Sequence, residues 1–263
     1  MVGRVLIVAG SDSGGGAGIQ ADIKAVSALD CFAATAITAL TAQNTLGVHD
    51  VYPVHPDFID KQINVVMRDI GADCIKTGML HDAATIKCVV RAIDREGPEV
   101  PLVADPVMVA KGGHRLLKED AVNSLKNFIK NTNPVLTPNI PEAEILTGMK
   151  INNLADMKTA GKKIIDLGAN FVVLKGGHMN KPILSDILIG EEVLDQIETK
   201  KIETNNTHGT GCTMASALTA GLAKSLGIKE AFQKAHFYVN QAIITSPRFG
   251  NGHGPINHSF NIN

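Results

Sequence analysis

Tryptophan is absent from the chain, and the aromatic complement is two tyrosines and eight phenylalanines. So few flat side chains leave little material for the stacking platforms that hold single-stranded nucleic acid. No charge of either sign predominates: 25 Lys and Arg stand against 26 Asp and Glu, a formal net charge of −1. That balance offers no attraction to a polyanion or an anionic membrane. Cysteine is scarce and scattered, at Cys31, Cys74, Cys88 and Cys212, with no Cys-x-x-Cys pair. Such spacing argues against a disulfide framework or a zinc knuckle and suits a reducing compartment. Long apolar runs are missing too, none approaching the roughly 20 residues that span a bilayer. The opening run is apolar for only about six residues and lacks the cleavage site of a signal peptide. Asn205 and Asn257 open Asn-x-Ser/Thr triplets, which read as chance matches without a secretory signal. The expectation is a soluble, cytoplasmic protein with neither nucleic acid nor membrane as partner.

What is present is an apolar fraction of 44% over 263 residues, enough for a sizeable core in one large α/β domain or two small ones. Short β-rich runs at 4–9, 31–40, 73–77, 101–105, 134–138, 171–175 and 185–189 alternate with helical patterns. The runs VLIVA and VVLK are nearly continuous in apolar residues, as strands covered on both faces are. Ile19, Ile23, Val26 and Leu29 recur at helical spacing, and Phe58, Ile63, Val66 and Ile70 do so similarly, so each set predicts one buried stripe. Two long helical patterns, 211–225 and 229–245, close the chain. Alternation of this kind implies βαβ units and a mostly parallel sheet between helices. No repeat, linker or charge block marks a boundary, so residues 1–263 read as a single domain. Residues 185–204 differ: a Gly-Glu-Glu turn and alternation beyond it predict antiparallel strands at one sheet edge.

Chemistry concentrates in a few segments. In NNTHGTGCTMASA, Gly209 and Gly211 flank Thr210 just before a helix of small residues. Glycine lets backbone approach a ligand closely, and a helix N-terminus offers free N–H groups and a positive dipole end for a phosphoryl group. Cys212 falls in the first turn, where that field favours a thiolate. Taken alone, the segment reads equally well as a loop capping a core helix. The run GSDSGGGAG from Gly10 to Gly18 follows the first strand but fits neither the dinucleotide fingerprint nor a P-loop. It is either a flexible connection or a backbone surface shaped around a small ligand, with Asp22 one turn into the next helix. Asp105 and Glu142 stand near strand ends, where ligands gather in open α/β sheets. Together they suit Mg²⁺ held partly through water; singly, each reads as a turn or helix-terminus charge. Lys175 ends a strand and can reach phosphate oxygens, or can be an ordinary lysine at a strand end. Met79, in the turn after residue 77, can wall a flat ring or simply pack in the core. The nine histidines show no metal-binding spacing, and most are expected in loops or on the surface.

Eight stretches in this order resemble the ribokinase superfamily and, within it, the hydroxymethylpyrimidine and phosphomethylpyrimidine kinases. They are AGSDSGGGAGIQAD, TALTAQNT, IKTGML, DPVMVAKGG, LTPNIPEAEIL, VLKGGH, HGTGCT and GHGP, and they span residues 9–255. The resemblance implies a three-layer αβα sandwich with its site along the strand carboxyl ends. It implies two successive ATP-dependent transfers, from pyrimidine alcohol to monophosphate and then to pyrophosphate, with Mg²⁺. Gln43 matches the residue that bonds the aminopyrimidine edge, for which a carboxamide offers both donor and acceptor. Gly10, Asp22 and Met79 would line the same pocket. Asn139, Glu142 and Asp105 would serve the magnesium–phosphate region, Lys175 the phosphate, Thr210 the nucleotide, and the stretch from Gly209 to Cys212 the anion hole. Broader superfamily members carry Asp where Cys212 stands, and a thiolate there would be the general base.

The nearest rival is a pyridoxal or pyridoxine kinase, which also phosphorylates a hydroxymethyl group on a heteroaromatic ring. Gln43 with Met79 favours the pyrimidine. A non-catalytic binding protein on the same fold would not need Lys175, Glu142 and Cys212 together, and a nicotinamide oxidoreductase fails on the missing fingerprint. A homodimer through the 185–204 edge strands is also expected.

Overall fold

The computed structural model describes residues 2–109, 113, 116–177, 179 and 181–262. Its elements run β1 (Gly3–Asp12), α1 (Gly18–Ala28), β2 (Cys31–Asn44), β3 (Gly47–Pro53), α2 (Pro56–Asp69), β4 (Cys74–Thr77), α3 (Ala83–Glu96), β5 (Leu102–Ala104), α4 (Val122–Thr132), β6 (Val135–Leu136), α5 (Ile140–Thr147), α6 (Leu154–Asp166), β7 (Phe171–Leu174), β8 (Ile183–Ile189), β9 (Val193–Lys200), α7 (Thr210–Ala223) and α8 (Ile228–Ile244). One sheet joins the strands in the order β3-β2-β1-β4-β5-β6-β7-β8-β9. Pairing is parallel from β2 to β7 and antiparallel at both ends, β3 on β2 and β8–β9 on β7.

β1 shows why the chain layers as it does. Its side chains alternate across the sheet: Leu6 and Val8 enter one apolar cluster, packed by α2 to α6, while Val5, Ile7 and Ala9 enter another, packed by α1, α7 and α8. All five are buried. The result is the three-layer αβα sandwich that the resemblance implies. Helix starts are fixed by side-chain caps where the sequence supplies them: Asp82 accepts from Thr85 N–H, Asn153 from Asp156 N–H, and Asn139 forms a capping box with Glu142. α7 is buried nearly all round, between the sheet, α1 and α8. Its small residues permit that close packing.

Two details depart from the sequence reading. β3 had no predicted counterpart, because Gly47–Pro53 is mostly exposed and half-polar and carries little apolar signal. The buried face of α2 is Ile59 and Ile63; Phe58 is 58% exposed and Ile70 sits at the rim. Residues 58 and 63 are five positions apart, well off one helical face. The antiparallel edge at 185–204 is present as β8 and β9. Among the described residues, no helix is long and apolar enough to cross a membrane.

Candidate active site

The parallel strands stop along one line, and the chain leaves them carrying polar groups. Asp12 ends β1, Asp105 follows β5, and Asn139 and Lys175 follow β6 and β7, these last two joined by a β-bridge. Between this row and the N-terminus of α7 lies a cavity of about 750 Å³. Gly10, Gln43 and Met79 line one part of it; Asp105, Asn139, Glu142 and Lys175 line another, facing Gly209, Thr210, Gly211 and Cys212. Asp22 does not. It is fully buried behind the wall, where its carboxylate accepts from Lys76 Nζ (2.7 Å) and Ser216 Oγ (2.7 Å). The expectation that Asp22 lines the pocket is therefore corrected: it sits on the inner face of α1 and needs a buried partner. Residues 110–112 of DPVMVAKGG and His178 of VLKGGH lie outside the described residues.

Gly209 caps α7 with φ at 84°, and a side chain there would collide with the Gly16 carbonyl. Only glycine lets the two Gly-rich segments meet. A Cβ on Gly211 would stand 3.3 Å from Lys175 Nζ and 3.7 Å from Asp105 Oδ2, so the helix start opens directly onto that ion pair. Lys175 Nζ donates to Asp105 Oδ1 at 3.1 Å, and Thr137 Oγ1 donates to the same oxygen at 3.3 Å. Burial opposes the Lys175 ammonium, but Asp105 and Glu142 outweigh it and hold its pKa above the ordinary value. Glu142 accepts the Asn139 N–H at 2.9 Å, and burial, with Asp105 adding to it against Lys175, lifts its pKa to about 7. Cys212 reverses the expectation of a favoured thiolate: burial pushes the thiol up to about 12, and Asp22 and Asp105 oppose the relief that Lys76 gives.

A helix N-terminus opened by glycines, a half-buried lysine, two carboxylates and a carboxamide thus line one cavity. The sequence model of the phosphomethylpyrimidine kinases matches residues 12–257. The chain belongs to the phosphomethylpyrimidine kinase family. It is 47% identical to the hydroxymethylpyrimidine/phosphomethylpyrimidine kinase of Bacillus subtilis, over 97% of this chain and 94% of that one. With the like-named protein of Haemophilus influenzae it shares 42% over 98% and 97%. Among solved structures, a Clostridium difficile phosphomethylpyrimidine kinase superposes with a TM-score of 0.80 at 41% identity, covering 92% of this chain and 100% of that one. The ADP complex of Bacillus subtilis pyridoxal kinase gives 0.91 at 36%, over the whole of both chains.

This phosphomethylpyrimidine kinase family member also carries site residues that the sequence reading passed over. Lys76 lines the cavity although its side chain is fully buried. Burial opposes its charge, but Asp22, Cys212 and Asp105 raise its pKa. A lysine inside the apolar run CIKT was the available signal, since an unpaired lysine does not survive in a buried strand. Asp12 accepts N–H bonds from Gly14, Gly16 and Ala17, so the first Gly-rich segment is a shaped turn and not a flexible connection. His208 and His258 lie in loops, as expected of most histidines, but both are buried, as is His236 on α8. His236 and Asp186 line the cavity 3.7 Å apart, and Asp186 accepts Gly176 N–H at 2.7 Å. Lys200 at the end of β9, Lys201 and Ile202 just after it, and Val239, Asn240 and Ile243 of α8 complete a wall. Nothing in those residue types marked it, because the wall forms only when β9 and α8 come together.

Proposed function

We propose that the chain transfers the terminal phosphoryl group of ATP to the hydroxymethyl group of 4-amino-5-hydroxymethyl-2-methylpyrimidine, and then a second one to the resulting monophosphate. The observation that carries this reading is the order of groups along one cavity. Following the sheet, Gln43 on β2 comes first, then Lys76 on β4, Asp105 after β5, Lys175 after β7, and the β9 wall last. An acceptor held at Gln43 and Met79 and a nucleotide held against β9 and α8 would meet at Lys175 and the Gly209–Cys212 turn. Phosphoryl transfer needs little beyond such positioning and charge stabilisation. The nucleotide end is supported by solved pyridoxal kinases, whose Bacillus subtilis and Staphylococcus aureus structures hold ADP and AMP-PCP.

Magnesium belongs to the same proposal. Among the described residues no group of three His, Cys, Asp or Glu is placed to hold a metal. Two carboxylates, one already paired with Lys175, nevertheless fit an ion that keeps several waters and takes phosphate oxygens. Asp105 and Glu142 would hold it, and it would neutralise phosphate charge. Cytoplasmic residence and a homodimer through the open β9 edge complete the reading, the latter because an unpaired edge strand favours pairing. Pyridoxal is a second acceptor worth testing, since the pyridoxal kinases superpose more closely than the phosphomethylpyrimidine kinase does. Coupled ADP release should be fast with the pyrimidine alcohol and with its monophosphate, and slower with pyridoxal. Turnover on pyridoxal alone would replace the reading.

A further inference from the structure

Gln43 is gripped from two sides by groups whose protons are not free to move. His208 Nε2 lies 2.8 Å from Asp12 Oδ2 and 3.2 Å from Gln43 Nε2. Burial works against the Asp12 charge, but the His208 hydrogen bond and the N–H groups of Ala17 and Gly14 keep its pKa below the usual carboxylate range. A carboxylate so close to an imidazole nitrogen needs a proton between them, because two lone pairs repel. Nε2 therefore carries hydrogen whether the ring is neutral or cationic, and the Gln43 NH₂ then faces another donor. On the other side, Thr41 Oγ1 lies 2.9 Å from the Ser11 carbonyl and 3.2 Å from Gln43 Oε1. Its single proton serves the Ser11 oxygen, which can only accept, so Oε1 faces a lone pair. Turning the amide by half a turn about its last bond removes both conflicts at once, the Nε2 hydrogen then being shared between Asp12 Oδ2 and Gln43 Oε1.

The ring is packed against Gly16, and its backbone is tied down beside it. A side chain on Gly16 would collide with His208 Cδ2, and the His208 backbone N–H is bonded to the Gly254 carbonyl at 3.1 Å. We propose that Asp12 and His208 are positioning residues that determine substrate specificity by locking the Gln43 amide with its carbonyl toward His208 and its nitrogen toward Thr41. One Oε1 lone pair and one N–H then remain for the substrate. They read a hydrogen-bond donor on the His208 side and an acceptor on the Thr41 side. A 4-aminopyrimidine presents that pair through its exocyclic amine and ring nitrogen. Its 4-oxo isostere, with the same outline, presents the reverse.

The lock rests on the substrate reading above, but it can fail separately. In wild-type protein with ¹⁵N-labelled histidine, the His208 ring, assigned by the nuclear Overhauser contact of its Cδ2 hydrogen with Gly16, should show hydrogen on Nε2. A bare Nε2 overturns the lock even if every variant misfolds. In kinetics, wild type should prefer the 4-amino alcohol to its 4-oxo isostere by at least about 10²-fold in kcat/KM, because the wrong edge leaves buried polar groups unpaired. His208→Phe should bring that ratio to within about tenfold, mostly through KM, with the KM for ATP unchanged. Equal loss on both substrates, leaving the ratio intact, would show a merely structural role and sink the proposal. Absence of wild-type turnover on either pyrimidine would instead remove the substrate reading, while the ring spectrum still decides the lock.

Discussion

Cys212 opens α7 among Lys76, Asp22 and Asp105, and burial lifts its thiol to about 12. Such a group is a strong base when ionised and seldom ionised at neutral pH, and catalysis depends on the product of the two. If Cys212 accepts the alcohol proton, kcat should climb by about tenfold per pH unit through neutrality, following the thiolate fraction. Cys212→Ala should flatten that slope and lower kcat by roughly 10²–10⁴. A wild-type rate indifferent to pH would leave Cys212 as packing. Glu142 titrates near 7, chiefly through burial, so it is neutral below that pH and charged above it. Only the charged form attracts Mg²⁺. The magnesium concentration for half-maximal rate should therefore fall as pH rises from about 6 to about 8, and Glu142→Gln should abolish the trend. A requirement that ignores pH in wild type would return Glu142 to its capping role with Asn139. These residues were legible in the sequence because glycines and strand ends mark them locally. The Cys212 titration was not, because it depends on burial and on charges brought in by other strands.

At the scale of elements, the buried pair of Lys76 and Asp22 ties β4 to α1, and Ser216 extends the tie to α7. Neither side chain touches solvent. Lys76→Met strands the Asp22 carboxylate and should cost about 3–5 kcal/mol in denaturant unfolding, while adding Asp22→Asn should recover much of it. Additive losses would mean that the two residues act independently. The partners are 54 positions apart, which is why Asp22 read from sequence as a pocket residue and Lys76 went unnoticed. The central strands were legible because burial on both faces leaves continuous apolar runs. β3 and the true inner face of α2 were not, since an exposed edge strand and a helix with Phe58 turned outward break the link between apolar residue and core.

Across the whole molecule, the sheet order places the row of strand ends beneath the N-terminus of α7, and two Gly-rich segments meet there because Gly209 has no side chain. The layer architecture follows from strand–helix alternation and could be read from sequence. The continuous cavity running from β2 to β9 could not, because residues from nearly the whole chain line it. Its continuity underlies the claim that one site performs two transfers in succession. The most direct test is ³¹P NMR of a reaction run to completion with excess ATP, Mg²⁺ and a limiting amount of the hydroxymethylpyrimidine. Two ADP should form per pyrimidine, with the pyrimidine recovered as its pyrophosphate ester. Recovery of the monophosphate with one ADP would contradict the second transfer, and an unchanged pyrimidine, with pyridoxal phosphorylated in a parallel reaction, would contradict the account as a whole.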